Sequence, residues 1–185
     1  MEGKNPKKHK FPPTKRMQQI SRKRNAFIRD TFYKYAHKIC RLMKERNLSF
    51  LIIGHNKGQK KGSHMGHENN QHFASIPFTR FHQIIKTVAS QYGISVILQE
   101  ESYTSKACFI AGDALPVYGK EKSSSFSGKR IHRGLYRDYN DIVLNADVNA
   151  SANIGRKYNP DIFKGIADFS YLYGIPKVLK HPDII

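Results

Sequence analysis

From Thr14 to about Asn47 the chain places apolar side chains at spacings of three and four: Met17, Ile20, Phe27, Ile28, Phe32, Tyr35, Ile39, Leu42 and Met43. That period belongs to one helix with one apolar face, and Thr14 is a residue type that caps such a helix. At 1.5 Å per residue it spans about 50 Å, well beyond the roughly 30 Å width of a small domain. The opposite side carries Lys15, Arg16, Arg22, Lys23, Arg24, Arg29, Lys34, Lys38 and Arg41, against Asp30 and Glu45 alone of the other sign. A face that serves solubility mixes both signs. One this uniformly basic predicts contact with a phosphate backbone, the plain alternative being a solvated charged face.

The charge of the whole chain points the same way. Net charge is +18 and the pI is about 10.0, so polyanions are the default partners. Residues 1–61 hold 18 Lys and Arg against 3 acids; residues 62–185 hold 14 against 11. The basic surface is thus the front third. Residues 1–13 read as a basic flexible arm or a solvated tail. A hydrophobic content of 39% argues against a disordered chain. Cys40 and Cys108 give no disulfide framework and suit a reducing cytoplasm. No apolar run approaches the roughly 20 residues of a membrane span, and no apolar stretch follows the basic N-terminus as in a signal peptide.

Behind the long helix the pattern alternates. Residues 48–53 predict a buried strand. Residues 54–72 form a loop with several glycines and His55, His64, His67 and His72, whose irregular spacing fits no metal-ligand pattern. Pro77 suits a helix first turn; Phe78, Phe81, Ile84, Ile85, Val88 and Tyr92 make an apolar helix face that Gly93 closes. Residues 94–99 are β-branched and apolar, a strand ending in Glu100 and Glu101. Open α/β sheets keep their chemistry at the C-terminal ends of strands. Residues 131–136 and 142–144 predict short strands around the turn Asp138-Tyr139-Asn140-Asp141.

A helix then starts near Asp147. The bland reading makes Asp147 its N-cap. Asp147 and Ser151 share one face; Asn145, Asn149 and Asn153 form a polar stripe; Val148, Ala152 and Gly155 form a small-residue face suited to packing on a sheet. Asn159-Pro160 ends the helix, and Phe163, Ile166, Phe169, Tyr171, Leu172 and Tyr173 read as packing residues of a tail. Glu101 and Asp147, from two elements, could hold Mg²⁺ through oxygen ligands. Two-metal phosphoryl chemistry takes a third or fourth acidic ligand.

Asn145-Ala146-Asp147-Val148-Asn149-Ala150-Ser151-Ala152-Asn153-Ile154 resembles the last acidic motif of the RuvC-like nuclease domain of TnpB (OrfB) proteins, transposon-encoded relatives of type V CRISPR effectors. Glu101-Ser102-Tyr103-Thr104-Ser105-Lys106 resembles the segment that opens that family's zinc-ribbon insertion, and Lys129-Arg130-Ile131-His132-Arg133-Gly134-Leu135-Tyr136 the segment that closes it. Ile52-Ile53-Gly54-His55-Asn56-Lys57 and the run from Asn69 to Phe78 also fit. The likeness covers about Thr14 to Tyr158.

There are three departures. Much of the family carries an acidic residue after the first of these strands, where this chain has Gly54-His55; a Fanzor-like subgroup moves that glutamate to just before the Thr-Ser-Lys, and Glu101 fits that pattern. The ribbon takes four Cys or Cys/His ligands; with Cys108 alone in the region, zinc is not expected. The strand bearing the family's first catalytic Asp is not found, and Asp30 and Asp141 are the conceivable substitutes in the chain.

The resemblance implies an α/β, partial RNase H-like (RuvC-like) fold of two or three strands that lacks the first strands, with a long basic helix and a degenerate zinc-ribbon insertion. The expected divisions are the arm 1–13, a RuvC-like part 14–107, the insertion 108–130, the last acidic motif and helix 131–158, and a tail 159–185. It implies a transposon-associated, RNA-guided DNA endonuclease, with guide RNA and DNA as partners. Glu101 (rather than Glu100) and Asp147 would be catalytic Mg²⁺ ligands. Lys106, Arg130 and Arg133 would join Lys15, Arg16, Arg22, Lys23, Arg24 and Arg29 as nucleic-acid contacts. The chain would be inactive alone unless a separate polypeptide supplies the first Asp. The alternatives are a non-catalytic DNA- or RNA-binding protein and a decayed remnant.

Overall fold

The computed structural model describes residues 12–56, 77–119, 125–166 and 169. The basic arm up to residue 11, the loop histidines His64, His67 and His72, residues 120–124 of the insertion loop and most of the tail lie outside the described residues.

Helix α1 runs Lys15–Glu45, and the Thr14 hydroxyl caps it by accepting the Met17 N–H at 3.3 Å. The expected apolar face is covered over part of its length alone. Ala36, Cys40 and Met43 are buried, whereas Met17, Ile20 and Phe27 are 56–60% exposed. The reason is length. The packing partner, α2 (Phe78–Gln91), has 14 residues against 31, about 21 Å against about 46 Å. Phe32 meets Phe81 with ring centroids 5.0 Å apart, and the His37 ring bonds the Tyr92 hydroxyl at 3.1 Å.

Strand β1 (Phe50–His55) and strand β2 (Ser95–Glu100) pair in parallel, from Phe50 opposite Ser95 to His55 opposite Glu100. A parallel pair needs a crossover, and α2 supplies it. β1 starts two residues later than expected and is half-buried rather than buried, with Phe50 at 47% exposure. In a two-stranded sheet each strand is an edge. Ile84, Ile85, Val88, Ala89 and Ile94 close this first core with the α1 residues; full burial of Ile85 or Val88 contributes about 1.5–3 kcal/mol each. Gly93 (φ +68°) turns the chain from α2 into β2.

A second sheet is antiparallel, in the order β3 (Lys129–His132), β4 (Leu135–Arg137) and β5 (Val143–Asn145). Among the described residues five strands in two sheets therefore stand where two or three were expected. The predicted strand 131–136 is in fact a hairpin, broken at Gly134, whose φ of +77° suits a turn and not a strand. Asp138 Oδ1 accepts the Asn140 and Ile142 N–H groups, both at 2.8 Å, and closes the next turn.

Helix α3 spans Ala146–Tyr158. Its cap is Asn145, whose Oδ1 accepts from Asp147 N at 2.9 Å and Val148 N at 3.0 Å. Asp147 is therefore not the N-cap but the second helical residue, still facing the positive end of the dipole. The second core joins Cys108, Phe109, Tyr136, Leu144, Ala146 and Ala152, with Phe163 and Phe169 meeting Phe109 edge-on. α3 also packs across β1 and β2 and ties the two cores together. Among the described residues no helix is long and apolar enough to cross a membrane.

Candidate carboxylate site and nucleic-acid face

Glu100 and Glu101 leave the end of β2 and meet different surroundings. The Glu100 carboxylate lies 2.5 Å from the Lys157 ammonium and accepts the Ser102 N–H at 2.6 Å. Lys157 also donates to the Ser102 and Pro116 carbonyls, at 2.9 and 3.1 Å. Burial alone would push the Glu100 carboxyl up; Lys157 and Ser102 outweigh it and hold the group below its ordinary value. Glu100 is thus committed to an ion pair that pins α3 to the sheet.

Glu101 lies over Gly54 on the neighbouring strand. A Cβ built on Gly54 would overlap the Glu101 carboxylate and come within 2.7 Å of Ile154 Cδ1. A side chain at position 54 would have to displace the carboxylate end of Glu101 and the tip of Ile154. Ile154 belongs to the same face of α3 as Asp147 and Ser151, at intervals of four and three residues. Asp147 is exposed, about 10 Å of helix rise from Ile154. The Ser151 hydroxyl donates to the Asp147 backbone carbonyl at 2.9 Å, not to its carboxylate.

The two conceivable substitutes lie elsewhere. Asp30 pairs with Lys34 at 3.2 Å on α1, and Asp141 faces Arg137 at 3.7 Å in the β4–β5 turn. Among the described residues no three His, Cys, Asp or Glu side chains gather closely enough to hold a metal ion. His55, next to Gly54, meets His82 of α2 edge-on at 5.4 Å. Burial first, then His55 and Lys86, hold the His82 imidazole below its ordinary value.

The basic residues fall into two groups. Lys15, Arg16, Arg22, Lys23, Arg24 and Arg29 are all exposed on the half of α1 that runs past the first core. Lys106 and Arg130 line one cavity of about 450 Å³, together with Lys129, which sequence reasoning missed. Arg133 is exposed in the β3–β4 turn.

The insertion is fastened by polar groups that sequence reasoning also missed. Asp113 Oδ2 accepts from Cys108 N at 2.8 Å and Ser127 N at 3.0 Å, and its Oδ1 accepts the Ser127 hydroxyl at 2.7 Å. Asn149 is fully buried; its Nδ2 donates to the Ala107 carbonyl at 2.9 Å and its Oδ1 accepts from Phe109 N at 3.0 Å. Asn153, equally buried, donates to the Thr104 and Ala107 carbonyls at 3.0 and 2.8 Å. The buried Tyr136 hydroxyl donates to the Lys106 carbonyl at 2.9 Å. Burial, then Cys108 and the Asp113 and Asp138 carboxylates, raises that phenol and keeps it a donor. The spacing of the two asparagines was the available signal, read as a polar stripe rather than as a buried clamp.

These elements make a mixed α/β chain with small sheets, in which the C-terminal ends of the parallel pair lie against the C-terminal half of α3. Residues 78–154, from the start of α2 through Glu101 to Ile154, match the family described as Cas12f1-like, TNB domain. The protein chain in the structure titled "Cryo-EM structure of the Cas12f1-sgRNA-target DNA complex" is 17% identical and superposes with a TM-score of 0.52, over 76% of this chain and 36% of that one. The present chain therefore spans about a third of that protein's length. Among curated proteins none matches. The chain is similar to part of the TnpB/Cas12f-like nucleases, as its motifs imply.

Proposed function

We propose that the chain is the C-terminal part of a TnpB-like, RNA-guided DNA endonuclease, with Glu101 and Asp147 as two of its three metal-binding carboxylates. The observation that carries this reading is the Glu101 carboxylate lying over Gly54, where a strand-borne acid would otherwise project. Asp147 comes from the helix that packs against that point through Ile154. The RuvC-like part would be 14–107 with 131–158, and 108–130 a degenerate zinc ribbon in which Asp113 takes over the stapling. The basic half of α1 would follow a phosphate backbone. Guide RNA and target DNA as partners follow from the likeness to the complexed protein, and the cytoplasm from the reduced cysteines.

Hard oxygen donors suit Mg²⁺, and Glu101 and Asp147 fit as part of its ligand set. Bound there, the metal would neutralise phosphodiester charge and activate water. Glu101 and Asp147 would hold their charge in position, Asp147 helped by the α3 dipole. Asp30 and Asp141 are engaged elsewhere, so the third carboxylate would come from outside the described residues or from a separate polypeptide. The same shortage of ligands favours a second reading, nucleic-acid binding without cleavage.

The test is a cleavage assay with Mg²⁺ on single- and double-stranded DNA, for the chain and its Asp147→Ala variant. The expected result is salt-sensitive binding without cleavage by the 185 residues alone, and cleavage, lost in Asp147→Ala, once the Asp-bearing part of a relative is added. Cleavage by the chain alone that Asp147→Ala abolishes would overturn the need for an outside carboxylate. No cleavage in any combination would leave the binding-only reading.

A further inference from the structure

Two glutamates in succession end β2, and both carboxylates meet one face of α3. Glu100 lies against Lys157, and Glu101 lies over Gly54, where Ile154 also reaches. Ile154 and Lys157 are three residues apart and neighbours on that face. Successive side chains of a strand point to opposite faces, so a pair that shares one helix is set by contacts beyond the strand. Which of the two carboxylates β2 offers to an ion is therefore decided by their surroundings.

Those surroundings centre on Lys157. Its side chain is 7% exposed, and its ammonium has three protons for three acceptors: Glu100 Oε2 at 2.5 Å, the Ser102 carbonyl at 2.9 Å and the Pro116 carbonyl at 3.1 Å. Glu100 also accepts the Ser102 N–H at 2.6 Å. One cation thus grips the residues on both sides of Glu101. The Glu101 carbonyl is held as well, by the Thr104 N–H at 3.3 Å and the Thr104 hydroxyl at 2.9 Å. With the backbone fixed around it, the Glu101 carboxylate is directed over Gly54. Glu100 keeps 37% of its side chain open to solvent, so an ion from solution can reach it. The Lys157 charge turns a second cation away from that carboxylate.

We infer that Lys157 is a positioning residue of the carboxylate site: by engaging Glu100 and the Ser102 carbonyl, it makes Glu101, and not its neighbour, the ligand that β2 supplies. The inference rests on the metal reading above and adds to it the residue that selects the ligand. Lys157 acts through Glu100 and Ser102 rather than on the ion, as the outer partners of metal ligands do. Removing its charge leaves Glu100 with the Ser102 N–H alone. Two carboxylates on adjacent residues then compete for one ion.

The test is Mn²⁺ binding by the full chain, read from the electron paramagnetic resonance of the free ion, because Mn²⁺ takes the same oxygen donors as Mg²⁺. In the unsubstituted chain Glu101→Gln and Asp147→Ala should each weaken binding about 10-fold or more. In Lys157→Met, Glu101→Gln should have little effect, and Glu100→Gln should have the effect that Glu101→Gln had before. A purely structural role for Lys157 gives no such transfer between neighbours. Lys157→Arg keeps a cation for Glu100 and should keep the dependence on Glu101. Lys157→Gln keeps a donor for the Ser102 carbonyl without the charge, so it folds and decides the matter if Lys157→Met does not. Binding in the uncharged variants that depends on Glu101 as before would overturn the inference and leave the carboxylate reading intact. A uniform loss of binding there, with no transfer to Glu100, would overturn it too, by reducing Lys157 to a structural contact. Binding by the unsubstituted chain that ignores both Glu101→Gln and Asp147→Ala would overturn the inference and the carboxylate reading together. No Mn²⁺ binding at all would overturn the inference alone, since that reading takes a further ligand from elsewhere.

Discussion

Asn149 should be the most costly polar residue of α3 to remove, and its magnitude can be worked from its partners. Asn149→Ala deletes two hydrogen bonds at a fully buried position. The Phe109 N–H loses its partner inside the second core, which costs about 1–3 kcal/mol. The Ala107 carbonyl keeps the Asn153 amide at 2.8 Å, so its loss is that of one ordinary bond, about 0.5–1.5 kcal/mol. The expected total is about 2–4 kcal/mol, or a fall in Tm of roughly 5–15 °C for a chain of this size. Asn153→Ala removes two bonds as well, but Asn153 Oδ1 is itself buried without a partner. Removing that atom relieves a cost, and the Ala107 carbonyl keeps Asn149. The expected loss is smaller, about 1–2 kcal/mol. The double variant strips the Ala107 carbonyl of both donors and should exceed the sum of the singles. Urea unfolding followed by circular dichroism, with the slope m unchanged, measures all three. Asn153→Ala costing as much as Asn149→Ala, or a strictly additive double variant, would refute the reasoning.

Four further expectations follow from the same geometry. Asp113→Ala frees Cys108 N, Ser127 N and the Ser127 hydroxyl at once and should lower stability by about 1–3 kcal/mol in urea, while a zinc chelator leaves the unsubstituted chain unchanged. Glu100, held below its ordinary value, contributes stability that is present above the unfolded carboxyl range and lost as pH falls through the folded value; in Lys157→Met burial is opposed by Ser102 alone, so the slope of stability against pH below about 5 should become shallower. Replacing Arg16, Arg22 and Lys23 by Gln should reduce the slope of log affinity against log salt on duplex DNA by about 2 to 3, measured by fluorescence anisotropy. Gly54→Ala should cost about 1–3 kcal/mol by crowding, and less when Glu101→Gly is present, because the overlapping carboxylate is then gone.

What could be read from the sequence follows from range. α1, α2 and the strand before Glu100 announce themselves by periods that local sequence sets, and the Thr14 cap needs three residues to recognise. The exposure of Met17, Ile20 and Phe27 was invisible because the period records a face, not the length of what covers it. The hairpin at Gly134 was read as one strand because Ile131 to Tyr136 is apolar enough at both ends, and a single glycine decided otherwise. Asn149 and Asn153 were placed correctly on one stripe, yet a helical asparagine at such spacing looks the same whether it faces water or the Ala107 carbonyl. The ion pair that engages Glu100 needed Lys157, 57 residues further on, and no local pattern carries that.

Glu101 and Asp147 are held by different cores, and this governs how exact any site between them can be. Glu101 follows β2, and its backbone carbonyl is fixed by the Thr104 N–H at 3.3 Å and the Thr104 hydroxyl at 2.9 Å. Asp147 follows β5, its position set by the Asn145 cap within the second core. The distance between the two therefore depends on how α3 lies across β1 and β2. Ile154 against Gly54 and Lys157 against Glu100 fix that, both in the C-terminal half of the helix. Asp147 is at the other end, so a small tilt of α3 about Ile154 moves its carboxylate while leaving those contacts almost unchanged. A ligand that bridges both carboxylates would remove that freedom, and the preorganisation expected of a catalytic site would then come from the bound ion and strand as much as from the chain. On the proposed reading, a nucleic-acid-binding surface along α1 and a carboxylate pair ordered by the ion and strand it binds would serve one function.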